Sequence, residues 1–183
     1  IITAEDPVEY RLNRINQVQI NSKIDLSFAR VLRAILRQDP DVIMIGEIRD
    51  AETALIAMRA AVTGHFVMAT MHTNDAVGSA LRLIDMGAEG FMVAAAVKAI
   101  IGQRLVRNIC RACIVDHKPD FLEEKWLKSL NVDPKKIQCK EGEGCSHCGL
   151  RGYVGRTGIY ELLELNGDMV NALQEPDTVY YGN

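Results

Sequence analysis

Two short apolar runs, separated by a segment of helical length, constrain the fold of this chain more than any other feature. Residues 42–45 read Val-Ile-Met-Ile, and a second run covers residues 66–71. Short unbroken apolar runs are typical of parallel strands that are covered on both faces. Between them, residues 51–62 predict a helix that Gly64 ends. The order strand, helix, strand predicts an α/β protein with a mainly parallel sheet and flanking helices.

Further elements are predicted on either side of these runs. Residues 1–3 read as the end of a strand, and residues 17–20 alternate polar and apolar side chains like a half-exposed strand. Apolar positions at helical spacing predict an amphipathic helix between Asp25, as N-cap, and the Asp39-Pro40 stop. Asp75 is expected to cap another helix.

The composition changes in the second half of the chain. Residues 89–107 show a helical pattern with small Ala residues that permit close packing. All five cysteines follow within residues 110–148, a loop-rich stretch around a charged helix predicted over residues 121–130. Residues 158–163 then predict a strand, and residues 168–174 predict a short helix.

Charge and hydropathy exclude several classes of protein. A net charge of −3 provides no bulk attraction to nucleic acid or anionic lipid, so we expect no nucleic-acid partner. The most apolar stretch, residues 91–102, contains Lys98 and is shorter than the roughly 18 to 20 residues that span a membrane. Because the sequence opens without an initiator Met or a signal peptide, we expect a fragment of a longer protein.

Carboxylates follow two of the predicted strands. Glu47 comes directly after the first apolar run and Gly46, where a nucleotide-hydrolysing α/β domain places a group that orients or polarises water. Glu5, Asp6 and Glu9 follow the first strand, and such a cluster can hold Mg²⁺ through water or position a nucleophilic water. For Glu47, the alternative is a position at a helix N-terminus, where acidic residues are favoured. For the cluster, the alternative is an acidic loop exposed to solvent.

Hydrogen-bonding side chains lie at the end of the second apolar run and directly after it. Thr70, His72, Thr73 and Asn74 are suited to sensing a γ-phosphate or a neighbouring subunit. A structural role is the alternative for a lone histidine, and it applies at least as well to His65.

The cysteines form two C-x-x-C pairs, Cys110 with Cys113 and Cys145 with Cys148, and Cys139 is left over. Two such pairs complete a closed tetrahedral site, which is typical of structural zinc. His117 and His147 are not needed as ligands. A redox dithiol and a metal-free thiol cluster remain as alternatives.

Taken together and in this order, these stretches carry a family resemblance. The chain resembles the secretion ATPase superfamily, in particular the type II secretion and type IV pilus assembly motors. The matching stretches are ITAEDPVEY for the Asp box, LRAILRQDPDVIMIGEIRD for Walker B, TGHFVMATMHTN for the His box, GQRLVR, and the cysteine unit. Such a tetracysteine insertion favours assembly or secretion motors, because the related retraction motors generally lack it.

The resemblance implies a fold and its division. Residues 1–86 would form the C-terminal part of a RecA-like P-loop ATPase core, followed by a helical segment over residues 87–108. Residues 109–155 would form an inserted tetracysteine zinc-binding subdomain, and residues 156–183 a return strand with a C-terminal helical segment.

The resemblance also implies roles for individual residues. Glu47 corresponds to the Walker B glutamate, Glu5 and Glu9 to Asp box acids near Mg²⁺ and water, and His72 to the His box histidine. Three further residues of the same stretches are expected to bind the nucleotide: Asp6, Arg49 and Thr70. The implied cofactors are ATP, Mg²⁺ and Zn²⁺.

The implied setting is a homo-hexamer that hydrolyses ATP at subunit interfaces and powers pseudopilus or type IV pilus assembly. It would work in the cytoplasm, at the inner face of the bacterial inner membrane, with platform and adaptor proteins as its only link to the membrane. Family members carry a P-loop upstream of the Asp box, yet G-x-x-x-x-G-K-[ST] occurs nowhere in this sequence. We therefore expect the isolated chain to be inactive. The competing hypotheses are a zinc-ribbon module that binds nucleic acid or protein, and a thiol redox protein.

Overall fold

The structure is a computed structural model that describes residues 1–174, and the chain divides into two compact units. The first unit contains Ile1–Gly102 and the stretch from Glu161 onward, and the second contains Gln103–Tyr160. The strands are β1 (Ile2–Glu5), β2 (Asn16–Gln19), β3 (Val42–Ile45), β4 (Phe66–Ala69), β5 (Ala99–Ile109), β6 (Ile114–His117), β7 (Cys139–Gly142) and β8 (Tyr153–Glu164). The helices are α1 (Phe28–Ile35), α2 (Ala51–Val62), α3 (Ala76–Asp85), α4 (Gly90–Ala96), α5 (Phe121–Ser129) and α6 (Gly167–Gln174).

The first unit is built on a four-stranded parallel sheet with the strand order β2-β1-β3-β4. Ala4 lies opposite Ile45 of β3, and Ile45 lies opposite Ala69 of β4, so these three strands end at the same level. Ala4, Ile43 and Ile45 are fully buried. The parallel α/β fold predicted from the apolar runs is confirmed.

Helix α1 packs on this sheet, but it begins differently from the prediction. Its N-cap is Ser27, whose hydroxyl accepts a hydrogen bond from the Arg30 N–H at 3.3 Å. The predicted cap, Asp25, instead adopts a left-handed conformation with φ 57° at the end of a short 3₁₀ turn. The first two apolar turns of the helix still bury Phe28 and Leu32.

Strand β4 is more exposed than the sequence predicts. Phe66 is 63% exposed and Met68 44% exposed, although the continuous apolar run predicts a strand covered on both faces. The reason is its position in the sheet, since β3 is its only partner strand within residues 1–174. β4 therefore forms an edge of the sheet described here.

The helical segment predicted over residues 89–107 is largely wrong. Helix α4 ends at Ala96, where Val97 turns to an extended conformation with ψ 127°, and the long strand β5 follows and pairs with β8. Gly102 disfavours a helix, and β-branched residues such as Ile100 and Val106 favour an extended chain. The small Ala residues that suggested a helix belong only to α4.

Helices α4 and α6 approach closely at one glycine. A Cβ atom on Gly90 would lie 1.9 Å from the carbonyl oxygen of Leu173, which is itself buried. Only glycine fits between the two backbones without a shift. The predicted return strand and C-terminal helix are present as β8 and α6, while residues 175–183 lie outside the described part of the chain.

Replacing Gly90 with Ala is expected to destabilise the first unit by about 1–3 kcal/mol, because the new methyl group overpacks the contact with Leu173. Denaturant unfolding followed by far-ultraviolet dichroism, which reports on the helices of the first unit, would measure the change. Gly167→Ala is the matched control, since a Cβ at that position meets no heavy atom within 4 Å. Equal unfolding midpoints for the two variants would contradict the packing assigned to Gly90.

The second unit is small and buries few apolar side chains. Its strands β6 and β7 form an antiparallel pair, and helix α5 begins with a capping box between Asp120 and Glu123. Within residues 103–160 only Cys110, Cys148 and Gly152 are buried. Within residues 1–174, no helix combines the length and the apolar character that a membrane span requires.

Candidate functional site

The carboxyl ends of β1, β3 and β4 meet around Glu47. The Gly46 N–H donates to the Ala4 carbonyl at 2.7 Å, and the Ile48 N–H donates to the Thr70 carbonyl at 2.9 Å. These bonds extend the strand pairing beyond β3 and hold the Gly46–Glu47–Ile48 backbone between its two neighbours. In open parallel α/β sheets, ligands bind at the carboxyl ends of the strands.

Glu47 is nearly enclosed at the carboxyl ends of these strands, with 12% of its side chain exposed. Its Oε1 accepts a hydrogen bond from the Arg49 guanidinium, which holds the pKa of the carboxyl below its usual value. Its Oε2 is buried and has no hydrogen-bond partner within the described residues. A buried carboxylate oxygen without a donor is costly unless a ligand or water supplies one.

Arg49 links the two acidic stretches. Besides its bond to Glu47, its Nη1 lies 3.9 Å from Asp6 Oδ2, and the hydrogen bond to Glu47 raises the guanidinium pKa. The predicted nucleotide-binding residues Asp6 and Arg49 thus lie together with Glu47. In this arrangement Arg49 balances the carboxylates, a role that chain spacing alone does not indicate.

The two Asp box glutamates differ sharply in their surroundings. Glu5 is 9% exposed, and its Oε1 accepts hydrogen bonds from the Thr3 hydroxyl at 2.5 Å and from Gln17 Nε2 at 2.9 Å. Glu9 is exposed and has no hydrogen bond or ion pair within residues 1–174. Sequence reasoning missed Gln17, whose position on β2 beside β1 follows only from the strand order.

His72 and Thr70 complete the cluster. His72 Nε2 lies 3.5 Å from Glu47 Oε2, on a side chain that is 92% exposed. The Thr70 hydroxyl donates to the Gly46 carbonyl and so ties the end of β4 to the loop that carries Glu47. Thr73 contacts the Ser79 hydroxyl at 2.5 Å, which anchors the same loop to α3.

Helix α3, which follows this loop, is held at its N-terminus by two carboxylates. Asp75 Oδ1 accepts the Gly78 N–H as the predicted N-cap, and Glu161 Oε2 of β8 accepts the Ala76 N–H at 2.9 Å. A Cβ on Gly102 would lie 3.1 Å from Glu161 Oε2, so this glycine leaves room for the contact. Glu161 was missed by sequence reasoning, because the contact joins residues that are distant in the chain.

A second group of functional side chains lies in the second unit. The sulfur atoms of Cys110, Cys113, Cys145 and Cys148 lie within 4.8 Å of one another. The Sγ–Sγ distances are 3.9 Å for Cys110–Cys145 and Cys113–Cys148 and 3.8 Å for Cys145–Cys148. A disulfide requires about 2.0 Å, whereas four thiolates at about 2.3 Å around a tetrahedral zinc ion are about 3.8 Å apart.

The backbone around these cysteines supports thiolates. Cys148 Sγ accepts the Cys145 N–H and the Gly152 N–H, both at 3.2 Å, and the bond from Cys145 is the main cause that lowers the Cys148 pKa to about 6. Burial raises the pKa of Cys113 to about 12. A metal ion supplies the charge that such a desolvated thiolate needs.

Cys139, His117 and His147 stand outside the four-cysteine cluster. Cys139 lies on β7 opposite His117 of β6. The His117 ring contacts Glu123 Oε2 of α5 through Nε2 at 2.8 Å and Glu141 Oε2 of β7 through Nδ1 at 3.1 Å. The hydrogen bond with Glu123 is the main reason why the His117 pKa is raised. His117 therefore links three elements of a unit that has little core.

The contribution of His117 to the stability of the second unit is expected to fall as the pH rises from 6 to 8. The folded-state pKa of His117 is raised, so its contribution is complete below the unfolded value of about 6.5 and is lost as pH rises through the folded pKa. The difference in melting temperature between the unmodified chain and His117→Gln isolates this contribution, because the pH dependence of the cysteine cluster is common to both. That difference should shrink as the pH rises, and Glu123→Gln should reduce it in part. A difference that does not change with pH would contradict this assignment.

Fold and sites together define a class of protein. The parallel α/β unit carries a cluster of carboxylate, arginine and histidine side chains at the carboxyl ends of its strands. The second unit carries a four-cysteine cluster. Residues 1–180 match the family described as "Type II/IV secretion system protein". The chain belongs to this family.

Individual relatives agree with the family match. The chain is 50% identical to the type II secretion system protein E of Pseudomonas aeruginosa over 92% of its own length and 33% of that protein. It is 48% identical to the type II secretion system ATPase E of Vibrio cholerae, over 96% and 34% of the two chains. It is 50% identical to the type IV pilus assembly ATPase PilB of Thermus thermophilus, over 93% of its own length and 19% of that protein. The chain thus spans between 19% and 34% of the length of these relatives.

Solved structures share the fold of this chain. The pilus retraction motor PilT with bound ADP matches with a TM-score of 0.64 and 31% identity, over 95% of this chain and 41% of PilT. The ATPase DotB of Legionella pneumophila matches with a TM-score of 0.61, over 97% of this chain and 40% of DotB. At 24% identity this second match supports the fold alone.

Proposed function

We propose that this chain provides the water-positioning and phosphate-sensing part of an ATPase that powers type II secretion or type IV pilus assembly. The observation that carries the proposal is the enclosed Glu47 carboxylate at the carboxyl ends of the strands, with an Oε2 that is buried and forms no hydrogen bond within residues 1–174. The relatives are named as secretion and pilus ATPases, which supports the same reaction.

Glu47 is proposed to orient the attacking water. Its Oε2 is available as an acceptor, whereas its Oε1 is occupied by Arg49. Because Arg49 lowers the Glu47 pKa, the carboxylate is a weak base and serves to align and polarise water more than to remove its proton. His72, 3.5 Å from Oε2 and almost fully exposed, is placed to respond when a phosphate arrives or leaves.

The residues present fit MgATP in charge and donor type. Glu5 and Asp6 offer carboxylate oxygens of the kind that Mg²⁺ prefers, and Arg49 offers N–H donors to phosphate oxygens. The Thr70 hydroxyl uses its proton on the Gly46 carbonyl, so Thr70 holds the loop that carries Glu47. When bound, Mg²⁺ supplies positive charge that stabilises the phosphoryl group during transfer. Glu9, exposed and without contacts among the described residues, is the weakest candidate of the predicted catalytic set.

The open edge of β4 suggests how the site is completed. Phe66 and Met68 are exposed there, and an unpaired apolar edge favours the addition of a further strand. We propose that a phosphate-binding segment elsewhere in the longer protein pairs with this edge and completes a RecA-like core. The isolated chain, without a Walker A loop, would then lack ATPase activity.

The four-cysteine cluster is proposed to bind structural zinc. The distances between its sulfur atoms fit tetrahedral coordination, and all four positions are filled by protein. In the longer protein, we further propose a homo-hexamer at the cytoplasmic face of the inner membrane, in contact with platform and adaptor proteins of the secretion or pilus machine.

ATP hydrolysis by the chain and by the longer protein tests the proposal. We expect the 183-residue chain to show no turnover above the background, and a version extended to include a G-x-x-x-x-G-K-[ST] loop to hydrolyse MgATP. Steady phosphate release by the short chain would contradict the incomplete site. An extended protein that binds MgATP without hydrolysing it would contradict the motor function.

A further inference from the structure

The second unit contains a cavity of about 300 Å³ whose lining is strongly basic. It lies between the end of β5 and the beginning of β8. The lining residues are Arg107, Arg151, Tyr153, Val154, Gly155 and Arg156. No acidic side chain is among them.

The three arginines of this cavity are not neutralised. Within the described residues, Arg107, Arg151 and Arg156 form no ion pair with a carboxylate. Other cations of the same unit do, since Lys140 pairs with Asp116 and Lys128 pairs with Glu124. Three unpaired guanidinium groups around one cavity repel one another, and an anion bound between them relieves that cost.

Two of these guanidinium groups are held in place. Arg107 stacks over the Tyr153 ring at 4.0 Å from its centre, and Arg151 Nε donates to the Cys148 carbonyl at 3.1 Å. Both contacts leave the terminal NH₂ groups available for a ligand. The Asn108 amide nitrogen lies 3.8 Å from the position of a Cβ on Gly155 and adds a neutral donor near the wall. Ordering these groups in advance reduces the entropy lost on binding.

We propose that this basic cavity binds a phosphate group, carried by a free nucleotide or polyphosphate or by the headgroup of an anionic phospholipid. A phosphate presents three or more acceptor oxygens and up to two charges, enough for three arginines. A single carboxylate, with two oxygens and one charge, satisfies fewer of them. The site is additional to the nucleotide site around Glu47 and does not depend on it.

Calorimetric titration of the 183-residue chain with inorganic pyrophosphate, without Mg²⁺ and at low salt, tests the proposal. Arg156→Gln is the main variant, because Arg156 is exposed and its side chain forms no hydrogen bond or ion pair within residues 1–174, so its replacement should leave the fold intact. It should weaken binding by about tenfold or more, and Arg151→Gln should do the same. Arg59→Gln, an exposed arginine of α2, is the matched control and should bind like the unmodified chain.

The outcomes separate this site from the nucleotide site and identify the source of the phosphate. Loss of binding in Arg49→Gln but not in Arg156→Gln would place pyrophosphate at Glu47 and overturn the proposal, as would no binding at all. Vesicles of phosphatidylcholine with phosphatidylglycerol, compared with phosphatidylcholine alone, test the lipid source. Vesicle binding that pyrophosphate and Arg156→Gln both reduce supports a headgroup, while pyrophosphate binding alone supports a soluble phosphate.

Discussion

Replacing Glu47 with Gln in the longer, P-loop-containing protein is expected to reduce ATP turnover by about 10²- to 10⁴-fold and to leave nucleotide binding nearly intact. The amide keeps the size of the side chain but removes the charge that Arg49 pairs with and that aligns water at Oε2. Turnover by phosphate release and affinity by a fluorescent nucleotide analogue would separate the two effects.

The structure supplies a matched control for this substitution. Glu124→Gln changes a glutamate whose ion pair with Lys128 is largely exposed, and pairs of this kind contribute little to stability. It should leave turnover within about twofold of the unmodified protein. Normal turnover in Glu47→Gln would remove Glu47 from the role of water-orienting residue. Loss of nucleotide affinity in step with turnover would indicate a role in ligand binding instead.

Glu5 and Glu9 show how far chain spacing predicts such a site. Both lie in the same acidic stretch, and the pattern cannot distinguish them. Strand β1 ends at Glu5, which is therefore held by Thr3 and by Gln17 of the neighbouring strand, while Glu9 lies beyond the strand in solvent. The sequence thus predicts which stretch contains the carboxylates. The strand order determines which of these carboxylates neighbouring side chains hold in place.

Errors in the predicted fold have the same origin. The apolar run of β4 has the composition of a buried strand, but burial depends on the number of neighbouring strands, which is not a local property. Similarly, residues 99–109 follow an Ala-rich helix, and the local pattern extends that helix into them. They form a strand because they pair with β8, which is distant in the chain. Local signals were sufficient for α2, whose Asp50 cap and Gly64 end lie within its own sequence.

Removing zinc is expected to unfold the second unit, because little else holds it together. Among residues 103–160 the buried side chains are those of Cys110 and Cys148, so the four-cysteine cluster, with the zinc proposed for it, takes the place of a hydrophobic core. Structural zinc sites of this type contribute about 10–16 kcal/mol of apparent binding free energy to folding. That amount far exceeds what one capped helix and a two-stranded sheet of this size supply.

Cys148→Ser is the sharpest form of this experiment, with Cys139→Ser as its control. Cys148 is buried among the other three sulfur atoms and accepts two backbone N–H bonds, whereas Cys139 lies outside the cluster on β7. We expect Cys148→Ser to lose bound zinc and to exchange the amide hydrogens of residues 103–160 rapidly, while the parallel sheet of the first unit remains protected. Cys139→Ser should keep one zinc per chain and normal protection. Full zinc content in Cys148→Ser, or unchanged protection after chelation, would show that the four cysteines do not form the core of this unit.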